Sequence, residues 1–206
     1  TLTMWMLEQV AAMARRLAED GQRLKIAVNL STRDLMDQEL PNKIEAILQR
    51  QQVDTALIVL EITESAIMDD PQRALQTLNR LHALGLKLSI DDFGTGYSSL
   101  AYLKRLPVDE LKIDRSFVMN METDLQDAKI VHSTVELAHN LGLSVVAEGV
   151  EAAKHWKLLA KLGCDEAQGY FIAKPMPCTE FMPWLDQWHA PDTEAEELGT
   201  AFAALS

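Results

Sequence analysis

Polar residues lie near the ends of six apolar segments spread along this chain of 206 residues, and several of them stand between apolar neighbours. In chain order they are Asn29, Glu61 with Glu64, Asp91 with Asp92, Lys112 with Asp114, Glu148 and Gln168. An amide oxygen and several carboxylates form the oxygen-rich ligand set that Mg²⁺ or Mn²⁺ prefers. The consecutive carboxylates of Asp91 and Asp92 can hold one ion and reach a second, which suggests a two-metal site. Such a site polarises a phosphate and generates hydroxide from bound water near neutral pH.

Charge compensation supports this interpretation. Burying several carboxylates together costs several kcal/mol for each group unless cations accompany them. The net charge of −12 argues against binding to a DNA or RNA polymer, whose usual footprint is a basic surface. Divalent cations can invert the local field and admit a small anionic ligand. Lys112 would add a positive charge beside the phosphate or the attacking water.

The elements that must position these residues alternate between strand and helix patterns. Strands are predicted over Lys25–Ser31, Ile58–Glu64, Leu86–Asp92, Glu110–Asp114, Leu143–Glu148 and Glu166–Tyr170. Helices are predicted over Leu2–Glu19, Leu40–Gln51, Pro71–Leu84, Ser98–Lys104, Asp127–Asn140, Ala152–Leu162 and Thr179–Trp188. Side chains of a strand alternate between its two faces, so a polar residue between apolar neighbours faces away from the helices.

Alternating strands and helices indicate an α/β fold with parallel strands. An open doubly wound sheet could use six strands, whereas a (β/α)8 barrel needs eight. Two features favour the barrel: no glycine-rich phosphate-binding fingerprint follows the first strand, and the polar residues are spread over every strand. We therefore expect a (β/α)8-like TIM barrel with its N-terminal strand or strands upstream of residue 1. The polar groups would converge on the mouth where barrel enzymes keep their active sites.

Structural roles compete with this chemical interpretation. A single Asp or Glu at a strand end more often caps a helix or lies in a solvated loop. Asn29 and Ser31 could cap the next helix, and Lys112 could pair with Asp109 or Asp114. Independent capping accounts poorly for a pattern that recurs on six strands, but the pattern by itself leaves both interpretations open.

Composition sets the broad class of protein. With 48% hydrophobic residues, the chain can form one substantial core. It shows neither an apolar run of membrane-spanning length nor a signal peptide. Its two cysteines match no disulfide framework or zinc site, which favours a cytoplasmic location. We expect one domain over residues 1–190 and a C-terminal tail over residues 191–206.

A series of motifs in this order resembles the EAL-domain family. The motifs are VNLS (Val28–Ser31), LEITES (Leu60–Ser65), DDFGTGYSSL (Asp91–Leu100), LKID (Leu111–Asp114), AEGVE (Ala147–Glu151) and QGY with KPMP (Gln168–Pro177). The resemblance extends from about residue 5 to residue 188 and keeps the order and spacing of the family. The ten-residue motif that begins at Asp91 is highly specific by itself.

The resemblance implies a bacterial signalling phosphodiesterase that hydrolyses cyclic di-GMP to linear pGpG with two Mg²⁺ or Mn²⁺ ions. The positions that match the family's metal ligands are Asn29, Glu61, Asp91 and Asp92. Other matches are Glu148, an acidic residue beside the metals, Lys112, which contacts the water or phosphate, and Gln168, a further site residue. We expect Ca²⁺ to bind but inhibit, because it is larger and lowers the pKa of bound water less.

The resemblance also predicts a homodimer. The loop Asp92–Tyr97 matches the segment that couples the metal site to the dimer interface, with Glu64 as its anchor. Gly94 and Gly96 supply the backbone freedom that such a loop needs.

The Glu-Ala-Leu motif that names the family is absent from this chain. Glu45-Ala46-Ile47 lies in a predicted helix downstream of Asn29, where the motif does not belong. We therefore expect an N-terminally incomplete domain that lacks the first strand, with sensory domains elsewhere in a parent protein that is either free or tethered to a membrane. A catalytically inactive cyclic di-GMP receptor and a protein-interaction domain remain alternatives. Every motif present in the chain is intact, which favours the enzyme.

Overall fold

The computed structural model describes residues 2–94 and 100–193, and the strands and helices alternate along both stretches. The strands are β1 Ile26–Leu30, β2 Ile58–Thr63, β3 Lys87–Phe93, β4 Glu110–Ile113, β5 Ser144–Ala147 and β6 Glu166–Ala167. The helices are α1 Leu2–Glu19, α2 Thr32–Leu35, α3 Leu40–Gln51, α4 Glu64–Asp69, α5 Pro71–Ala83, α6 Leu100–Leu103, α7 Arg115–Asn120, α8 Leu125–Asn140, α9 Ala153–Lys161 and α10 Cys178–Leu185. The chain divides into two compact units, residues 1–111 and 112–206.

The first unit is built on the parallel strands β1, β2 and β3, which are neighbours in that order. Helix α1 packs against β1 and α3, and its apolar residues at helical spacing are buried, including Leu7, Ala14 and Leu17. Strand β2 is the centre of this sheet, and its first five residues are all buried. Apolar side chains such as Leu60 and Leu88 have no exposed surface, so β2 and β3 form a rigid support for the polar residues that they carry.

The second unit contains the end of β4 together with β5 and β6. The backbone N–H of Glu148 donates to the carbonyl of Ile113 at 3.1 Å, next to the ends of β4 and β5. Strand β5 pairs with β6 in parallel, with Ala147 opposite Ala167. Helix α8 packs against β5 and α7. The loop before β6 is fixed by Asp165, whose carboxylate accepts from the N–H of Val145 at 2.8 Å.

Three short helices absent from the sequence prediction follow β1, β2 and β4 directly. Each begins at a capping residue: Ser31 for α2, Thr63 for α4 and Asp114 for α7. The Ser31 hydroxyl accepts from the N–H of Asp34 at 3.2 Å, and the Asp34 carboxylate accepts from the N–H of Ser31 at 3.1 Å. Ser31 is therefore the cap of α2, and the alternative role for Asn29 as this cap is not needed.

Other predicted elements differ at their ends. The last strand, predicted over Glu166–Tyr170, is limited to two residues, because the chain turns after Ala167. Of the helix predicted over Ser98–Lys104, the described part is α6, and residues 98 and 99 lie outside the described residues. No helix within residues 2–94 and 100–193 combines the length and the apolar character needed to cross a membrane.

Candidate metal and phosphate site

Three residues of the first unit form one row across β1, β2 and β3. In the parallel register Asn29 is opposite Glu61, and Glu61 is opposite Ser89. Paired residues of neighbouring strands present their side chains on the same face of a sheet. Asn29 is exposed, whereas 8% of Glu61 and none of Ser89 is accessible to solvent. The row therefore brings an amide and a carboxylate, two of the expected metal ligands, to one face.

Asp91 continues this face by one step along β3, opposite Thr63. In a regular strand Asp91 and Asp92 would point to opposite faces. However, Asp92 has a φ of 55°, in the left-handed region that few residues other than glycine adopt. A carboxylate oxygen of each residue can therefore approach within 4.8 Å of the other. The left-handed conformation of Asp92 thus accounts for the proximity of two carboxylates that a regular strand would place on opposite faces.

Glu64 lies at the first position of α4, directly after β2, and is 5% exposed. Its Oε2 accepts a hydrogen bond from the N–H of Gly94 at 3.3 Å. The contact joins the end of β2 to the start of the loop Asp92–Tyr97, the geometry that an anchoring role requires. Residues 95–97 of that loop lie outside the described residues, so its coupling to a dimer interface stays a prediction.

The donor set of the first unit fits hard divalent cations. Asn29, Glu61, Asp91 and Asp92 offer only oxygen ligands among the atoms that could face an ion, as Mg²⁺ and Mn²⁺ prefer. The row also contains the Ser89 hydroxyl, a buried polar atom with no hydrogen-bond partner in the described part of the chain. An unpartnered buried polar group calls for an explanation, and an ion or water bound at the site is one such explanation.

In the second unit, a buried ion pair joins β4 to the end of β5. The Nζ atom of Lys112 lies 2.6 Å from Oε1 of Glu148, and the two side chains are 4% and 18% exposed. A buried ammonium is tolerated only with a close carboxylate, since an unpaired buried charge costs several kcal/mol. Glu148 therefore fixes the position of the Lys112 charge. Of the alternative partners, Asp109 contacts Lys87 at 2.7 Å, and Asp114 caps α7.

Gln168 lies directly after β6, and backbone hydrogen bonds connect it to the loop that follows β5. Its N–H donates to the carbonyl of Ala147 at 2.8 Å, and its carbonyl accepts from the N–H of Val150 at 3.0 Å. The N–H of Phe171 then donates to the carbonyl of Val150 at 2.9 Å. Gly169 lies against this loop so closely that a Cβ atom would be 2.2 Å from the Val150 oxygen. The motifs that contain Glu148 and Gln168 are thus held together through their backbones.

Two features of the site could not be derived from the strand pattern. The left-handed conformation of Asp92 has a weak sequence signal, since aspartate is among the residues that tolerate it before a glycine-rich turn. Ser89 resembles any small residue of a buried strand. Only the sheet register shows that Ser89 is opposite Glu61.

This chain belongs to the EAL domain family, whose model matches residues 1–175. Membership confirms the family resemblance drawn from the motifs. It also confirms the α/β class, because the solved EAL domains that match the chain are (β/α)8-like barrels.

The relatives include two proteins of Pseudomonas aeruginosa. The bifunctional diguanylate cyclase/cyclic di-GMP phosphodiesterase MucR is 41% identical over 179 residues, which cover 86% of this chain and 26% of MucR. The cyclic di-GMP phosphodiesterase RocR is 39% identical over 181 residues, which cover 87% of this chain and 46% of RocR. The chain thus spans less than half the length of these curated relatives.

Solved structures agree with the sequence comparison. The MucR phosphodiesterase in complex with c-di-GMP matches with a TM-score of 0.85 and 41% identity, over 87% of this chain and 73% of that one. The EAL domain of Mycobacterium smegmatis DcpA matches with a TM-score of 0.85 and 36% identity, over 93% of this chain and 86% of that one.

Proposed function

We propose that this chain is the catalytic part of a phosphodiesterase that hydrolyses cyclic di-GMP to linear 5′-pGpG with two Mg²⁺ or Mn²⁺ ions. The proposal is supported by relatives named as cyclic di-GMP phosphodiesterases and by a matching structure in complex with c-di-GMP. The observation that carries it is the proximity of the Asp91 and Asp92 carboxylates, whose oxygens lie within 4.8 Å of each other where Asp92 is left-handed.

The metal ligands in this proposal all belong to the first unit: Asn29, Glu61, Asp91 and Asp92. Bound ions supply the electrostatic polarisation of a phosphate oxygen and lower the pKa of a water molecule. The protein contributes rigid placement, because Glu61 and Asp91 extend from buried strands whose apolar neighbours are fully packed. A left-handed aspartate costs about 1–2 kcal/mol. The proposed site needs both carboxylates, which gives a reason for this unfavourable backbone conformation.

Lys112, Glu148 and Gln168 supply the remaining roles. The buried ammonium of Lys112 binds the phosphate or the attacking water, and Glu148 orients it across 2.6 Å. Gln168 contributes an exposed amide that can hydrogen-bond the substrate. In the reaction, the oxygen of water bonds to phosphorus, the bond from phosphorus to the ribose 3′-oxygen breaks, and the 3′-oxygen leaves with a proton.

Partners follow from the same proposal. Cyclic di-GMP is the ligand, and a homodimer through the loop Asp92–Tyr97 is the assembly. Because the chain spans less than half of the relatives' length, we propose that sensory domains lie in other parts of the parent protein.

A pair of substitutions tests the proposal. Asp91→Asn keeps the shape of the side chain but removes a ligand charge, so hydrolysis measured by chromatography should fall below detection. The fold should persist, and removing one carboxylate from an acidic group can even raise the melting temperature. Asp37→Asn is the matched control, because Asp37 lies on the surface in an exposed ion pair with Lys43, and pairs of this kind contribute little. Its activity should equal that of the unmodified protein.

Two results would contradict the proposal. Near-normal turnover by Asp91→Asn would show that the metal assignment is wrong. Tight binding of cyclic di-GMP by the unmodified protein without any cleavage would instead identify a receptor.

A further inference from the structure

Ser89 has the only strand hydroxyl, among the described residues, that is both fully buried and without a hydrogen-bond partner. It has no accessible surface, and its Oγ contacts no donor or acceptor in the described residues. Buried polar groups in native proteins nearly always find a partner, so an unpartnered one needs a specific explanation. Leucine and isoleucine flank Ser89 along β3, and an alanine would fill the same space without this penalty.

The position of Ser89 suggests which partner it serves. Ser89 is opposite Glu61 in the register of β2 and β3, and Asp91 follows two residues later on the same strand. All three side chains therefore lie on one face. Neighbouring strands lie about 4.8 Å apart, a separation that the longer Glu61 side chain can bridge to a hydroxyl on the next strand.

Metal sites supply a physical reason for such a hydroxyl. Carboxylates that bind metals are themselves usually held by hydrogen-bond donors, which fix their orientation. An ion that draws the Glu61 carboxylate into its coordination shell would set the direction of both oxygens. With one oxygen on the ion, the other could accept a hydrogen bond from a hydroxyl on the protein side.

We propose that Ser89 is a positioning residue of the metal site, whose hydroxyl donates a hydrogen bond to the Glu61 carboxylate when the ion is bound. This inference rests on the proposed function. In this inference Ser89 does not contact the substrate. Its loss should weaken metal binding directly and should lower turnover only as a consequence.

The test measures Mn²⁺ affinity by calorimetry for the unmodified protein and for Ser89→Ala. Loss of a donor to a ligand typically weakens metal binding by about 10-fold to 100-fold. We expect at least a 10-fold higher dissociation constant. The melting temperature of the metal-free variant should stay the same or rise, because the substitution removes an unpartnered polar group. Ser89→Thr, which keeps the hydroxyl, should restore most of the affinity.

Thr77→Val is the matched control for losing a buried hydroxyl. Thr77 is buried in the same unit, and its hydroxyl donates to the carbonyl of Leu35 at 3.2 Å. This variant should lower the melting temperature of the metal-free protein and leave Mn²⁺ affinity unchanged. The opposite behaviour of the two variants separates a role at the metal site from a role in folding.

The outcomes distinguish this inference from the proposed function. If the unmodified protein binds no Mn²⁺ and cleaves nothing, the proposed function is wrong. If it binds and cleaves, but Ser89→Ala keeps its affinity within twofold, only the role of Ser89 is wrong. A crystal structure of the Mn²⁺-loaded protein gives the direct check: we expect Ser89 Oγ within about 3.0 Å of a Glu61 oxygen, the usual length of a hydroxyl hydrogen bond. A separation well beyond that limit would also overturn the inference.

Discussion

Replacing Gly169 with alanine should destabilise the second unit and impair the site together. Gly169 follows Gln168, and a Cβ atom there would lie 2.2 Å from the Val150 oxygen and 2.3 Å from its nitrogen. Both are backbone atoms, so the neighbour cannot move aside by changing a rotamer. Val150 is also completely buried and hydrogen-bonded to Gln168 and Phe171 through its backbone. The substitution must therefore push apart the two loops that hold Glu148 and Gln168.

The magnitude follows from two contributions. Overpacking in a well-packed region costs about 1–3 kcal/mol. Weakening the two backbone hydrogen bonds of Val150 adds about 0.5–1.5 kcal/mol for each bond. A midpoint of about 4 kcal/mol corresponds to a melting temperature lower by about 8–16 °C, since each kcal/mol shifts a protein of this size by about 2–4 °C. Turnover should fall as well, because Gln168 moves with the loop.

Differential scanning calorimetry of Gly169→Ala and Gly142→Ala measures this effect. Gly142 has a φ of +75°, but no atom lies within 4 Å of its would-be Cβ. Its substitution carries only the cost of the left-handed conformation, about 1–2 kcal/mol, and should leave turnover unchanged. If Gly169→Ala were as stable as Gly142→Ala and fully active, the contact between the two loops would not support the site as described.

Three further predictions concern metals, thiols and pH. Ca²⁺ should compete with Mg²⁺ for binding but support little turnover, and equal rates with the two ions would argue against a metal-activated water. Burial raises the pKa of Cys164 to about 12, so a maleimide at pH 7 should label exposed Cys178 rapidly and Cys164 only after unfolding; mass spectrometry of the labelled peptides checks this. Burial, with the Lys154 charge, lowers the pKa of His155, so neutral imidazole is favoured in the folded state. The stability that neutral His155 contributes is therefore complete above pH of about 6.5 and is lost as the pH falls below that value. When the pH is lowered from 7.5 to 5.5, the melting temperature of His155→Gln should drop less than that of the unmodified protein. Equal drops would contradict the effect.

Long elements with clear periodicity were predictable from the sequence. The helices Leu2–Glu19 and Leu40–Gln51 have the predicted limits. Apolar residues at helical spacing define both helices, Gly21 marks the end of the first, and Pro41 marks the start of the second. Strands β1 to β5 were found because each buries apolar residues. The short helices α2, α4 and α7 were missed because single capping side chains start them, and four to six residues are too few to show a period.

The candidate site was predictable in its residue types but not in its geometry. Oxygen ligands on successive strands indicated a divalent metal site, and the motifs gave the family. The strand pattern alone would have placed Asp91 and Asp92 on opposite faces, since nothing in it specifies a left-handed residue. Similarly, the sequence does not show that Ser89 is opposite Glu61, because sheet register depends on contacts between distant segments.

The most direct test of the central claim is the fate of cyclic di-GMP when it is incubated with the protein and Mg²⁺. Chromatography should show that linear pGpG accumulates with time, that EDTA stops the reaction, and that added Mg²⁺ or Mn²⁺ restores it. Cyclic di-GMP that remains intact in the presence of Mg²⁺ and Mn²⁺, with a protein that is folded and binds it, would contradict the assignment of this chain as a metal-dependent phosphodiesterase.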